Sequence, residues 1–390
     1  VKASGTADKV QYWEEARLHA RQTGDFNSAG KIVVTVADEK IFARVNDVLL
    51  VGRKRFLVTD IAVVGDPATS RVLTVSDLGG AANPTSGAVD AAIIGNLYGQ
   101  GSSQPTEYLE SNVILRENPY SILKETFKVT GSQATNIGYI NLGGGDYRWY
   151  IKGEMDTRQR FLDKREMMML LGQKAASDIT VGNYAVNGSE GYFAAIEDRG
   201  IVETGGTVST LAEIDAVIAE LDKQGAAPEY AVYGDTAQML AFDDVVASLN
   251  GSAGSAFGAP TSGAAAFGAF SNADQAVTLG FKSFTRGGYT FHNKSWKLLN
   301  DPTLLGGSGF HGVMIPMTSV VDPKSGARAA ALEMNYKAVD GYSREMEHWM
   351  TGSILGVTNT NDDSLQFNYR SECNLVTRAA NQHVLIRSNT

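Results

Sequence analysis

The chain has 390 residues, 43% hydrophobic and 20% charged, with a formal net charge of −9 at pH 7. That length calls for two or more lobes, the composition is that of a folded protein, and lone Cys373 excludes an internal disulfide. No apolar run approaches the roughly 18–20 residues of a membrane span, no basic-then-apolar start reads as a signal peptide, and an acidic balance argues against a tight grip on nucleic-acid phosphates.

Lys9–Arg21 is predicted to be a short amphipathic helix. Val10, Trp13, Ala16 and Ala20 recur at helical spacing, and Gly24-Asp25 stops it. Trp13 reads equally as a docking anchor on a terminal arm or as a locally packed side chain. From Lys31 the pattern turns to strands, at Ile32–Val36, Ile41–Val51, Arg55–Val64 and Arg71–Leu78. Turns at Ala37-Asp38, Gly52-Arg53 and Gly65-Asp66-Pro67 separate them. Four short strands this close together suggest a small β-barrel or sheet of its own, inserted as a structural subdomain. Gly79–Gln104 is rich in Gly, Ala, Ser and Pro and reads as linker with some extended structure.

Next comes a predicted long hairpin with arms at Ser121–Thr130 and Asp146–Lys152. Gly143-Gly144-Gly145 lies in the segment joining them. A helix follows from about Thr157 to Ala176, a rod of roughly 30 Å. Phe161, Met168, Leu171 and Ala175 line one face, with Leu162, Met169 and Ala176 beside them. Met167-Met168-Met169 reads as filler of irregular apolar gaps. Seven basic residues and five acids mix between Asp146 and Lys174, a sign pattern suited to pairing with a neighbour. Nothing nearby in sequence covers such a hairpin, so part of the stability is expected to come from other copies of the chain.

An α/β lobe follows. Thr210-Leu211-Ala212-Glu213 is a capping box, and Leu211, Ile214, Ile218 and Leu221 form the buried stripe of its helix. Gly225 stops that helix and Pro228 prevents its resumption. Tyr230–Tyr233 is a short buried strand, and Asp235 caps a second helix from Thr236 to about Leu249. Nine acids against Lys223 alone between Glu203 and Asp244 describe a solvated acidic lobe. Residues 251–273 are low in charge and rich in Gly, Ala, Ser and Phe, and read as a mobile loop. Strands are predicted at Thr278–Thr285, Tyr289–His292, Trp296–Leu299 and Val313–Val320. Leu365–Val376 and His383–Ile386 read as return strands pairing back toward the long helix.

The search for chemistry assigns no catalytic, cofactor-binding or metal-ligating residue, and no cofactor. Gly307, Gly309 and Gly312 match a G-x-G-x-x-G, but strand-like Val313–Pro316 follows where a helix N-terminus should stand. His19, His292, His311, His348 and His383 lack metal-ligand spacing. No nucleophile-elbow G-x-S-x-G occurs. The acid pairs Asp243-Asp244 and Asp362-Asp363 read as solvated, and His348 as a surface or interface residue. The chain is not expected to be an enzyme.

The order of these parts resembles the major capsid proteins of tailed phages, the Hong Kong 97-type fold. Glu125–Thr130 looks like the first E-loop strand and Arg148–Lys152 like the second. Asp156–Gly172 looks like the spine helix. Tyr230–Asp235 with its following helix looks like an A-domain strand–turn–helix, and Leu298–Pro302 like an A-domain strand and turn. The resemblance spans roughly residues 105–390 and implies an α+β class. Its parts would be an N-terminal arm at 1–30, a β-rich insertion at 31–95, and a linker with E-loop at 96–156. A P-domain at 157–202, an A-domain at 203–320 and a return to the P-domain at 321–390 would complete it.

The implied function is a capsid protein of a tailed double-stranded DNA phage, forming hexamers and pentamers of an icosahedral shell. The implied partners are other copies of itself, portal, scaffolding and decoration proteins, and packaged DNA met without sequence-specific binding. No membrane is involved. The location is the virion, with assembly in the host cytoplasm. An encapsulin-like nanocompartment shell is the alternative within the fold, and a two-lobed soluble hydrolase with an unrecognised site is the alternative from another class.

Overall fold

The computed structural model describes residues 1–15, 19, 21–27, 31–34, 42–63, 71–80, 87–105, 113–135, 149–176, 179–253 and 283–389. Two compact units emerge: Glu15–Ile114, and Val1–Glu14 together with Leu115–Thr390.

The chain opens with β1 (Lys2–Gly5) and β2 (Lys9–Glu15). Then come β3 (Arg21–Asn27), β4 (Lys31–Val34), β5 (Asp47–Val51), β6 (Lys54–Val63), β7 (Arg71–Asp77) and β8 (Gly87–Asn96). The middle carries β9 (Val113–Pro119), β10 (Ser121–Thr130), α1 (Gly131–Ala134), α2 (Trp149–Leu171), β11 (Ile179–Val181), β12 (Tyr184–Val186) and α3 (Tyr192–Arg199). Next are β13 (Ile201–Glu203), α4 (Leu211–Lys223), β14 (Glu229–Gly234), α5 (Thr236–Ala253), β15 (Ser283–Arg286), β16 (Tyr289–Ser295) and β17 (Phe310–Pro316). The chain closes with β18 (Ser319–Val321), β19 (Arg328–Ala330), β20 (Leu332–Val339), β21 (Tyr342–Ser343), β22 (Glu347–Gly352), β23 (Ser364–Thr377) and β24 (Val384–Arg387). The class is mixed α and β, with few helices among the described residues.

The smaller unit is a closed barrel in the order β3-β4-β7-β6-β5-β8. Phe26, Ile32, Leu49, Phe56, Val58 and Leu73 fill it, with the Phe26 and Phe56 rings 5.4 Å apart. Closure abolishes the free edges that short strands would otherwise present. Gly52, at φ +61, heads the two-residue turn between β5 and β6, as its position before Arg53 predicts. One sequence expectation fails here. Gly87–Asn96 is not linker: it is the strand that closes the barrel on both β3 and β5. It is paired on both sides and Ala91 is fully buried, long-range terms that a propensity scale does not register. Ala37-Asp38 and Gly65-Asp66-Pro67 lie outside the described residues.

In the larger unit Lys9–Glu15 is a strand, not a helix. Tyr12 is buried and its hydroxyl donates to the Thr377 carbonyl at 3.3 Å, while β2 pairs with β9. A short isolated helix is marginal, so long-range pairing overrides its weak periodicity. Trp13 is half-buried, with the ammonium of the sequence-distant Lys324 4.7 Å from its ring centroid. The first residues are not free either: Lys2–Gly5 pairs in parallel with Met334–Lys337 of β20.

The first sheet runs β1-β20-β23-β10, with β22 also paired to β23. The predicted hairpin is only half right. Ser121–Thr130 is the strand expected, but its partner is distant β23, in register from Ser121–Cys373 to Thr130–Ser364. Trp149–Lys152 is the first turn of α2, and Gly143–Asp146 lies outside the described residues. The helix therefore begins eight residues before Thr157 and ends at Leu171, before Ala176. Its seat explains the early start. Lys152 pairs with Asp156 one turn on, at 2.9 Å, and Gly153 accepts the ring of Phe127 where a Cβ would come within 2.6 Å. The predicted stripe also splits. Phe161 is buried and stacked on Tyr369 of β23 at 5.9 Å, whereas Met168 and Leu171 are exposed. The sides of α2 facing the sheet and α3 are covered.

A polar centre ties the unit together. Buried Asn118 donates to the carbonyls of Glu190 and Leu375 at 3.0 and 2.7 Å and accepts from the Glu190 N–H at 2.9 Å and the Ser189 hydroxyl at 3.2 Å. Arg199 forks onto both carboxylate oxygens of Glu190, at 2.8 and 2.9 Å. Burial is offset there by paired hydrogen bonds, the condition for keeping a charge inside.

The second sheet runs β13-β24-β17-β14-β16-β15, with α4 and α5 packed on it around Tyr230, Val232, Phe242 and Phe291. The sequence reading holds in detail. Thr210 Oγ1 accepts the Glu213 N–H at 3.3 Å, and the Glu213 carboxylate accepts the Thr210 N–H at 3.0 Å. Ile214, Val217 and Leu221 are buried, with Leu211 and Ile218 packed beside them, and Gly225 sits at φ +63. Asp235 caps α5, accepting the Gln238 N–H at 2.7 Å. Thr210→Ala is expected to cost about 1 kcal/mol while Thr210→Ser is near neutral, as chemical denaturation midpoints will show.

Three strand expectations are corrected. Lys297–Leu299 is a 3-10 turn, because Trp296 turns edge-on to Phe193 and Tyr233 and the chain bends there. Val313–Val320 is broken after Pro316 into β17 and β18. β24 pairs within this second sheet, and β23 is the return strand whose Tyr369 stacks on the helix. Residues 254–273 of the predicted loop, and 278–282 of the predicted strand, lie outside the described residues, and 251–253 end α5.

Candidate assembly surfaces

The most exposed apolar feature is the ribbon β11–β12. Ile179 faces Val186 and Val181 faces Tyr184 across it, joined by Gly182 at φ +63 and Asn183. Alternation puts all four side chains on one face. They are 57%, 48%, 64% and 79% exposed in that order, and Ile179–Asn187 contains no charge. A lone two-stranded ribbon is marginal in water, and its edges carry unpaired N–H and C=O groups. Among the described residues nothing covers this face.

The ribbon's root is tightly held. Gly191 donates its N–H to the Gly172 carbonyl at 2.7 Å, joining the end of α2 to the start of α3. A Cβ at Gly188 would lie 2.0 Å from the Gln173 carbonyl oxygen. Outgoing and returning chain therefore lie backbone to backbone, and the apolar face projects from a rigid base. Sequence reasoning missed this element. The signal was present: Gly182-Asn183 between two alternating apolar pairs is a two-residue hairpin pattern.

A second surface is the outer side of β22, which among the described residues pairs only with β23. Trp349 and Met350 are 40% and 44% exposed, and the Arg370 guanidinium lies 5.0 Å from the Trp349 centroid. His348 is exposed there and stacks on Tyr369 at 4.9 Å, the surface position expected of it. A third is the acidic face of α4. Its charge is less free than the run suggests. Arg286 holds both Asp215 oxygens at 2.5 and 2.6 Å, keeping that carboxyl below its ordinary range, and Lys223 pairs with Glu220 at 2.5 Å. Asp243 is not fully solvated; burial, then its neighbour Asp244, pushes its carboxyl up. On α2 the mixed signs pair inward: Lys164 meets Glu125 of β10 at 2.5 Å.

The glycines at 307, 309 and 312 lead into strand β17, so no helix N-terminus stands ready for a phosphate. Among the described residues no three His, Cys, Asp or Glu gather as a metal would require, and no helix is long and apolar enough to cross a membrane.

No family model and no curated protein matches the chain. Solved structures similar to it include one from Microbacterium phage Oxtober96, at 8% identity and TM-score 0.42, covering 100% of this chain and 89% of that one. The capsid structure of the cyanophage P-SCSP1u is similar at 8% identity and TM-score 0.37, over 76% of this chain and 81% of that one. The holo-SrpI encapsulin complex of Synechococcus elongatus PCC 7942 is similar at 9% identity and TM-score 0.37, over 71% and 77%.

Proposed function

We propose that this chain is a shell-forming protein, the major capsid protein of a tailed double-stranded DNA phage, assembling as hexamers and pentamers around the genome. The observation that carries the self-assembly is the uncovered ribbon Ile179–Val186 on its clamped base. The capsid reading rests on the chain order of α2 beside a long sheet, followed by the strand–turn–helix lobe at Glu229–Ala253. In this reading α2 is the spine, residues 203–320 form the A-domain and the barrel is the insertion. Closed rings of identical chains need differing donor and acceptor surfaces, and the ribbon, β22 and the acidic α4 supply three. A net acidic wall would hold packaged DNA loosely. Portal, scaffolding and decoration proteins are the further partners this reading implies, with assembly in the host cytoplasm.

Electron microscopy of purified protein tests it. Closed shells, rings or tubes are expected, and small uniform particles under every salt and crowding condition would refute it. Nucleic acid inside native particles favours a phage shell, and protein cargo favours a nanocompartment. Val181→Asp and Tyr184→Asp are expected to weaken assembly at least tenfold each, since a buried apolar side chain is worth about 1.5–3 kcal/mol. Exposed positions like these change stability by about 0.5 kcal/mol or less, so melting should hardly move. Sedimentation velocity read beside a thermal melt separates the two effects.

A further inference from the structure

One cluster of titratable and nucleophilic side chains lies apart from these surfaces. Asp235, His311 and Ser388 come from three distant parts of the chain and meet at one end of the adjacent strands β14, β17 and β24 of the second sheet. The Asp235 carboxylate is divided: one oxygen caps α5 through the Gln238 N–H at 2.7 Å, and the other lies 2.9 Å from His311 Nδ1. The two backbones are joined as well, the Asp235 N–H donating to the His311 carbonyl at 2.8 Å. His311 stands in a bulge of β17, between the Phe310–Arg387 and Gly312–Ile386 pairs, and bulges re-aim side chains. Its Nε2 lies 2.8 Å from Ser388 Oγ.

The chemistry orders the protons. A carboxylate only accepts, so His311 Nδ1 carries the hydrogen and donates it to Asp235. In the neutral ring Nε2 is then a bare lone pair, so the Ser388 hydroxyl donates to it. This is a nucleophile hydrogen-bonded to a base that a third group orients, the arrangement that activates a serine. The ring and carboxylate are 22% and 12% exposed, so water competes little for either. Ser388 is held by its own N–H on the Gly309 carbonyl at 2.8 Å, and bordered by Gly206, where a Cβ would sit 3.7 Å from Oγ. Ser388 itself is partly exposed.

We infer that Ser388 is an activated nucleophile, with His311 as its general base and Asp235 as the positioning residue, which accepts acyl groups from activated esters. The Ser388 Oγ–carbonyl bond forms as the ester C–O bond breaks. The hydroxyl proton passes to His311 Nε2 and then to the departing alkoxide or phenolate. Water, activated by the same imidazole, later splits the acyl-serine and returns the hydroxyl. Activated esters are the fitting class, because a good leaving group relies less on aligned oxyanion donors than an amide does.

The test is labelling of the whole purified chain with a fluorophosphonate and with p-nitrophenyl acetate, read by intact mass and peptide mapping. One adduct per chain on Ser388 is expected, lost in Ser388→Ala. His311→Ala should slow labelling roughly a hundredfold or more, with recovery on adding imidazole. Asp235→Asn keeps a capping side chain, so it should slow labelling while the melting temperature holds. Absence of an adduct on wild-type Ser388 overturns the proposal, leaving the three residues as a structural clasp. So does labelling that persists in Ser388→Ala. Should His311→Ala fail to fold, site mapping on the wild type still decides.

Discussion

Gly191→Ala is expected to destabilise the larger unit by about 3 kcal/mol, far more than one methyl group ordinarily does on a surface. The added Cβ would lie 2.5 Å from the Gly172 nitrogen, 2.7 Å from the Leu170 carbonyl oxygen and 2.8 Å from the Gly172 carbonyl oxygen. All three are backbone atoms, so no flexible side chain can swing away. The end of α2 and the start of α3 must part, breaking the 2.7 Å hydrogen bond from Gly191 to Gly172. The cost then spreads to the packing of Leu170 with Tyr192 and Phe193. Gly205→Ala is the control. Its Cβ meets nothing within 4 Å and its φ is not positive, so a change within about 0.5 kcal/mol is expected. Denaturant midpoints for both variants decide the matter, and equal midpoints would show that the joint is looser than described. Because the joint anchors the ribbon, Gly191→Ala should also impair assembly under conditions where the chain remains folded.

Acidification from pH 6.5 to 4 is expected to remove about 3 kcal/mol of stability through His383 alone. The ring is fully buried, with Nδ1 2.8 Å from the Tyr192 hydroxyl and no hydrogen-bond partner at Nε2 among the described residues. Burial holds the imidazole neutral and lowers its pKa from 6.5 to about 4, against a smaller opposing effect of the Arg378 backbone. The sign follows. Below 6.5 the unfolded chain takes a proton that the folded chain refuses, so stability is full above 6.5 and falls until the pH reaches about 4. Glu203 and Asp243, whose carboxyls burial pushes up, act in the opposite sense over the acid range. Comparing His383→Gln with wild type at pH 7 and pH 4.5 isolates the histidine. The variant should start less stable at pH 7, having lost its Tyr192 contact, yet lose less on acidification. Parallel losses in the two proteins would dismiss the histidine as the cause.

Where local chemistry sets the outcome, the sequence was sufficient. The Thr210 capping box, the Asp235 cap, the Gly225 stop and the Gly52 turn all stand where side-chain hydrogen bonding and positive φ require them. Strands β4, β6, β7, β10 and β23 were legible because β-branched, aromatic and other apolar residues recur along them and each is half or fully buried. Length, charge and one cysteine bounded the class without any structure. The tertiary structure decided what long-range partners decide. Lys9–Glu15 became a strand because β9 and the Thr377 carbonyl were waiting for it. Gly87–Asn96 became the barrel's closing strand because β3 and β5 pair with it on either side, and Trp149–Lys152 became helix because Phe127 seats on Gly153. The meeting of Asp235, His311 and Ser388 lies beyond any local pattern, since residues 76 and 77 positions apart are brought within 3 Å only by the order of strands in one sheet. Sequence-local forces write the caps and turns; burial against distant segments selects among the conformations those forces leave nearly equal.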